Sequence, residues 1–568
     1  MYQSLARWCY RHRWTVVIAW LLIIVGLNGL GAAAGSAFNG EFETPASESA
    51  SGFETVEEYF PGAGSAFGGQ IVFQSDSGVT APEVVGPMTE LFEEVDEIEG
   101  VSVVSPYTPF GAEQISDDET VAYAQINLAD DIDDTEATAI GEEITEILPE
   151  VDGLRIEIGG AALGEFEPPE SELIGLAFAI VVLIVSFGSV LAMGLPIGIA
   201  IAGVGAGGFG LVTLLTNVFT IPEFAPLIGI MIGLGVGIDY ALFIVTRYRE
   251  LTRAGATSEQ ATVGAMDTAG RAVVFAGITV VLSLLGLLLI GLEFIAGLGI
   301  AAAATVAMTL LASITLLPAL LGFAGDKIEV TRWRGLIAAG FAALSLLGLG
   351  LGIPQLGLIG AVLMLLTLLL SLGVKPLREI VPPRQEKPTR ETLAYRWSRI
   401  VQARPWTWVA LSGGLLLVLT APVLSLRLGF SDEGNFAEET TTRQAYDLVA
   451  EGFGPGYNGP FLLTVEVDAP GDVVVVQNLA TEIAADPGVA EVSPPFPSNV
   501  DDPEASEAYV IRIVPTTSPQ DEVTEETVQR LRDDVIPPIV AGTGVESHLT
   551  GAVPANIDFS DFLGGRII

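Results

Sequence analysis

The feature that most restricts this chain is a set of nine long apolar runs, at 14–34, 172–188, 190–216, 224–246, 272–292, 294–322, 335–353, 356–374 and 406–426. Each is close to the roughly 17–25 residues that cross a bilayer as a helix. Inside hydrocarbon every backbone polar group must be satisfied within its own segment, so such runs predict an α-helical multi-pass membrane protein. Composition agrees. Charged residues make up 17% of the chain, against about 25% in soluble domains.

Charge placement predicts orientation. With the N-terminus inside, segments 1–13, 247–271, 323–334 and 375–405 face the cytoplasm and hold 18 of the 25 lysines and arginines. Positive charge concentrated in short loops marks the cytoplasmic side. Segment 35–171 instead holds 32 acidic residues and one base, Arg155. The expectation is a multi-pass protein of the cell (inner) membrane with a cytoplasmic N-terminus. Arg7, Arg11 and Arg13 ahead of an apolar run that ends in Ala32, Ala33 and Ala34 also suit a cleaved signal peptide. That run is longer than a signal h-region, which favours an uncleaved first helix.

The same residues exclude whole function classes. Cys9 is the only cysteine, and His12 and His548 are the only histidines. They make neither a disulfide nor a structural zinc site. No nucleophile–base pair is visible, so an enzyme is not expected, nor is a cofactor or metal. With a net charge of −44, nucleic acid is not an expected partner either; the acidity suits a solvated surface or a high-salt habitat.

The two long polar segments resemble each other. Gly40-Glu41-Phe42, then Phe53 to Phe60 with Pro61-Gly62-Ala63-Gly64, then Gln70 to Phe73 precede Ile158-Gly159-Gly160-Ala161. Their counterparts are Gly434-Asn435-Phe436, Tyr446 to Phe453 with Gly454-Pro455-Gly456, Phe461 to Val465, and Leu549-Thr550-Gly551-Ala552, at an offset near 391–393. Alternating β-branched runs predict strands near 70–74, 101–105, 120–128 and 154–158, with helices near 81–97 and 134–148. In the second copy strands fall near 461–467, 488–493, 508–514 and 545–550, with helices near 473–485 and 520–534. A β-α-β-β-α-β order suits a ferredoxin-like α+β domain. The expected organisation is a first helix (1–34), an extracytoplasmic domain (35–171), a five-helix bundle (172–323) and a cytoplasmic linker (324–405) carrying an inserted apolar hairpin (335–374). A helix opening the second repeat (406–426), a second extracytoplasmic domain (427–557) and the start of a truncated helix (558–568) follow. The expectation is a two-fold repeat that is incomplete within residues 1–568. The uncharged hairpin is expected at the bundle periphery.

Only one apolar run carries a charge in its interior. Asp239 follows Gly229, Gly233 and Gly237 and precedes Tyr240. It lies eight residues before Arg247, roughly 12 Å along a helix. A carboxylate at that depth costs about 2.5–3.5 kcal/mol unless partnered, and such groups commonly mark proton or ion paths. The bland reading is a hydrogen bond to a neighbouring helix, with Thr279 or Ser283 as candidate relay neighbours. The glycines, four residues apart, form a helix-packing face. Thr305, Thr309 and Ser313 form a polar stripe that suits interhelical packing. Glu293 suits an interfacial turn, and Thr257 to Gln260 a capping box opening a short surface helix.

At Gly233-Leu234-Gly235-Val236-Gly237-Ile238-Asp239-Tyr240, continuing through Arg247 and Arg249-Glu250, the sequence resembles the mycobacterial membrane protein large (MMPL) family of the resistance–nodulation–division superfamily. Thr268-Ala269-Gly270-Arg271, Gly277-Ile278-Thr279 and Leu316-Leu317-Pro318-Ala319 are also similar to that family. The resemblance covers 1–325 and 395–568. It implies that Asp239 and Tyr240 belong to a proton relay, that the external domains are porter-like, and that the proton gradient drives export of lipids or other amphiphiles. Membrane lipids or hydrophobic small molecules would be the partners. Two departures stand out: the inserted hairpin, and the absence of the family's second Asp-Tyr pair. A second polypeptide or an oligomer would have to supply the helices facing Asp239. The reading from another class is a non-transporting membrane scaffold or lipid-sensing protein.

Overall fold

The computed structural model describes residues 2–567 apart from 39–44, 61–67, 109–110, 130–131, 133, 161, 165–170, 382–389, 391–392, 428, 468 and 501. Of the repeated pattern, residues 40–42, 61–64 and 161 fall outside the described residues. The chain forms two compact units: residues 1–43 with 168–422, and 44–167 with 423–568.

Helices α1 (Tyr2–Arg11) and α2 (Arg13–Ala34) open the order. Then come α3 (Glu48–Tyr59), β1 (Gly68–Ser75), α4 (Pro82–Asp96), β2 (Val101–Val104), β3 (Val121–Leu128), α5 (Asp134–Glu146) and β4 (Leu154–Gly159). The long helices are α6 (Ser171–Phe187), α7 (Val190–Leu215), α8 (Ala225–Arg253), α9 (Ser258–Leu285), α10 (Glu293–Ala324), α11 (Trp333–Gly350) and α12 (Pro354–Leu370). They lead into α13 (Leu393–Ala403), α14 (Pro405–Thr420) and α15 (Thr441–Phe453). The order continues with β5 (Phe461–Glu466), α16 (Val473–Ala484), β6 (Val489–Val492), β7 (Phe496–Pro497) and β8 (Ala508–Pro515), then α17 (Glu522–Arg530), β9 (Glu546–Thr550) and α18 (Ala552–Ile567).

In the helical unit, seven described helices are long and apolar enough to cross a membrane, and α6 and α12 are shorter apolar helices. The capping box is present: Thr257 Oγ1 accepts from Gln260 N, and Gln260 Oε1 accepts from Thr257 N. It does not open a short surface helix, however. It opens α9, which runs 28 residues into the apolar run because no proline interrupts Ser258 to Leu285. Within α7 the glycine-rich stretch Gly205–Leu211 winds as π-helix. Such bulges change the backbone ladder locally, and here Asn28 Nδ2 of α2 donates to Gly205 O at 2.8 Å. Ala339 and Ala343 of α11 pack on Ala177, Ile180 and Leu183 of α6. On the far side of α11, α12 leaves Leu358, Leu365 and Leu369 exposed.

The second unit holds two antiparallel sheets. Their strand orders are β2-β3-β1-β4 and β6-β8-β5-β9, with β7 pairing β8 off the path. The short β7 had no counterpart in the sequence reading. Alternation along β1 sends Ile71 and Phe73 into the core with Met88 and Phe92 of α4. Val72 points to the opposite face and is buried with Val121 under Ala445, Leu448 and Val449 of α15. On the second sheet, Ala508 packs with Val56 of α3 and with Phe60, which caps its end. Each sheet is therefore covered by a helix from the other polar segment. The two contacts are fixed differently. Arg532 pairs with Glu48 of α3 at 3.0 Å and with Asp558 of α18 at 2.6 Å, and Asp558 in turn accepts from Ser49 N of α3 at 3.1 Å. Thr441 of α15 accepts from Ile158 N and donates to Glu157, both at 2.8 Å.

Candidate functional site

Helix α8 carries the residues singled out above, and its two faces meet different surroundings. Gly229, Gly233 and Gly237 are buried against α7 and α10. A Cβ added at Gly237 would lie 2.6 Å from Thr309 Cγ2 and 2.8 Å from Ala200 Cα; one at Gly233 would lie 2.8 Å from Thr305 Cγ2. From the α7 side, Gly203 and Gly207 approach the same threonines. Two glycine-bearing helices thus close over one threonine stripe. Thr305, Thr309 and Ser313 are fully buried, and each hydroxyl donates to the carbonyl four residues back, at 2.8–3.0 Å. The stripe packs helices and satisfies itself.

Asp239 lies on the other face. Its side chain is exposed, in line with Met231, Gly235 and Phe243. Tyr240, about 100° around the helix, is buried at 6% exposure, and its hydroxyl finds no hydrogen-bond partner among the described residues. Aspartate and tyrosine therefore do not meet on one surface. Thr279 and Ser283 are exposed on α9, and the Thr279 hydroxyl donates to Phe275 O at 2.9 Å. Among the described residues no hydrogen bond joins either to Asp239. Glu172 and Glu293, the acids nearest to other spans, sit at helix starts, and Glu293 accepts from Thr220 at 2.9 Å.

Toward the arginine end the exposed face of α8 continues into an open cavity of about 780 Å³. Phe243, one turn from Asp239, lines it with Ser186, Thr246, Arg247 and Thr268. The buried face of α8 ends in an ion clamp at the wall of the same cavity, which Phe187 and Arg249 also line. Arg249 bonds both carboxylate oxygens of Glu329, at 2.5 and 2.7 Å, and Phe187 O at 3.0 Å. These bonds from Arg249 hold the Glu329 carboxyl below its usual range, against burial, which pushes it up. Sequence reading missed the clamp and the cavity, because Glu329 lies 80 residues from Arg249 and nothing local pairs them.

A family model described as the MMPL family matches residues 41–339. The membrane protein YdfJ of Bacillus subtilis is 32% identical over 585 residues, covering all of this chain and 70% of its own length. The mycolic acid-containing lipids exporter MmpL11 of Mycolicibacterium smegmatis is 25% identical, covering 97% of this chain and 54% of itself. The trehalose monomycolate exporter MmpL3 of Mycobacterium tuberculosis is 30% identical, covering 61% of this chain and 35% of itself. The chain thus spans about half the length of the first exporter and about a third of the second.

Proposed function

This chain belongs to the MMPL family, an integral-membrane transporter family rather than an enzyme family, and on that premise we propose that it takes part in proton-driven export of lipids or other amphiphiles. The observation that carries the reading is Asp239: it is the one charge in the interior of the nine apolar runs, and it is exposed on a face that leads toward a cavity. Carboxylates inside apolar helices commonly mark proton or ion paths. Phe243, Thr246 and Arg247 line the route by which water reaches within a turn of Asp239 from the cytoplasmic end. Tyr240 contributes a buried hydroxyl on the packed side and joins the relay only if α8 rotates or a partner reaches it.

The proposal extends to architecture. Both sheets have the strand order of ferredoxin-like domains, which supports two porter-like extracytoplasmic domains related by an internal repeat. The bases at the ends of α2, α8 and α11 support a cytoplasmic N-terminus and residence in the inner membrane. An exposed carboxylate on α8 also calls for a facing helix, from further polypeptide or a second copy.

The test is proton flux into proteoliposomes holding this protein, read with a trapped pH dye while a lipid cargo is offered. With the facing helices supplied as further polypeptide, cargo-dependent flux that is lost in Asp239→Asn is the expected result; the chain alone is expected to bind lipid without driving flux. Equal flux in both proteins rules out Asp239 as the carrier. Lipid binding with no flux, even when the facing helices are supplied, favours the scaffold or lipid-sensing reading.

A further inference from the structure

Helix α13 stands apart from the other amphipathic segment of the helical unit. Helix α1 buries Ala6 and Cys9 and is tied down by Arg11 to Glu259 at 2.9 Å and by Gln3 to Asp267 at 2.9 Å. Helix α13 buries none of its described side chains: Trp397 is 57% exposed and Ile400 52%. Trp397, Ile400 and Val401 recur at helical spacing and share one side, while Arg399 and Gln402 lie opposite. No acidic residue occurs between Leu393 and Arg404. Only Arg404 separates this helix from α14, an apolar helix of which nothing is buried. Trp397 meets Trp408 of α14 edge to face, with ring centroids 5.1 Å apart.

From these observations we infer that α13 lies in the membrane interface as a basic amphipathic helix that recognises an anionic lipid surface. Its bulky apolar side enters the acyl boundary, and Arg396 and Arg399 meet the head groups. Three facts select lipid as the occupant. The helix is continuous with a membrane span, so it cannot leave the interface by more than a residue or two. The Trp397–Trp408 pair is of the kind that settles at head-group depth. Arginine on the polar side and tryptophan with isoleucine on the other is the composition of interfacial helices, and arginines near an anionic leaflet add attraction that neutral lipid does not provide. The inference rests on α14 crossing the bilayer and not on proton carriage by Asp239.

The test uses the full chain in nanodiscs, in a Cys9→Ser background, with a nitroxide at Ile400→Cys or Gln402→Cys. In phosphatidylglycerol-containing discs, dissolved oxygen should reach the label at 400 more than a water-soluble nickel chelate does, with the reverse at 402. In pure phosphatidylcholine, or with Arg396→Gln and Arg399→Gln together, that contrast should fall at least about twofold. Asp239→Asn should leave it unchanged. Labels at 400 and 402 equally open to the chelate overturn the inference, as do labels shielded from both reagents, which indicate a protein occupant. A contrast indifferent to lipid charge refutes the anionic preference; if the arginine variants fail to fold, the lipid comparison on unchanged arginines decides alone.

Discussion

The two faces of α8 are made from the same eleven residues, 229 to 239, yet they are under opposite constraints. One face consists of glycines against Thr305, Thr309, Ala200 and Val204, with no room for a Cβ. The other carries Met231, Gly235 and Asp239 with nothing described against them. The ion pairs at the arginine end follow the same division. Arg249, 8% exposed, serves the packed face, whereas Arg247 and Glu250, 43% and 57% exposed, pair at 2.7 Å on the open one. Stability therefore resides on one side of this helix and the proposed proton carrier on the other, so substitutions can separate them.

The strongest test of that division is Gly237→Leu. A side chain meeting Ala200 backbone at 2.8 Å cannot be relieved by a rotamer change, and overpacking of this kind costs on the order of 3 kcal/mol. The variant should lose its single folded peak on size exclusion in detergent; normal elution would mean that the glycine face is not packed as described.

Next in size is Glu329→Gln, which leaves Arg249 without its carboxylate. Complete burial would make the loss about 3–5 kcal/mol; with Glu329 a third exposed, about 2 kcal/mol is expected in denaturant titration. The pH dependence has a definite sign. Glu329 is held below its usual value, so its contribution is present above the ordinary glutamate range and is lost as pH falls beneath about 4.5 through the lowered value. The glutamine variant should lack this component of the acid transition.

A smaller effect of opposite sign is expected for Tyr240→Phe. A buried hydroxyl with no partner is a penalty, so its removal should raise stability by about 1 kcal/mol. If stability rises while proton flux falls, the hydroxyl finds a partner during transport. Least of all should Asp239→Asn and Glu250→Gln change stability, each by within about 0.5 kcal/mol. A large loss in Asp239→Asn would abolish the division between the faces.

Much of this was legible beforehand, for physical reasons. Long uncharged runs have no alternative to helices in hydrocarbon, and period-2 patterns place strands to within a residue or two. The orientation of Asp239 was also readable. If Gly237 packs inward, two residues on is about 200° around, facing away, and Tyr240 at about 300° returns to the packed side. What local pattern does not hold is partner choice over distance. Nothing near Glu48 or Thr441 tells which sheet α3 or α15 will cover, and nothing near Glu329 names Arg249. The capping box was identified, but a cap marks where a helix begins and not how far it continues.

The exchange of α3 and α15 between the sheets has a consequence for biosynthesis. The first sheet is complete in sequence at Gly159, but the helix that covers Val72 and Val121 begins roughly 280 residues later, at Thr441. At about 5–20 residues per second, translation leaves that apolar face without its cover for roughly 15 to 60 s. The ribosome meanwhile delivers the whole block from α6 to α14. Completion of this domain is thus tied to chain emergence rather than to its own folding rate.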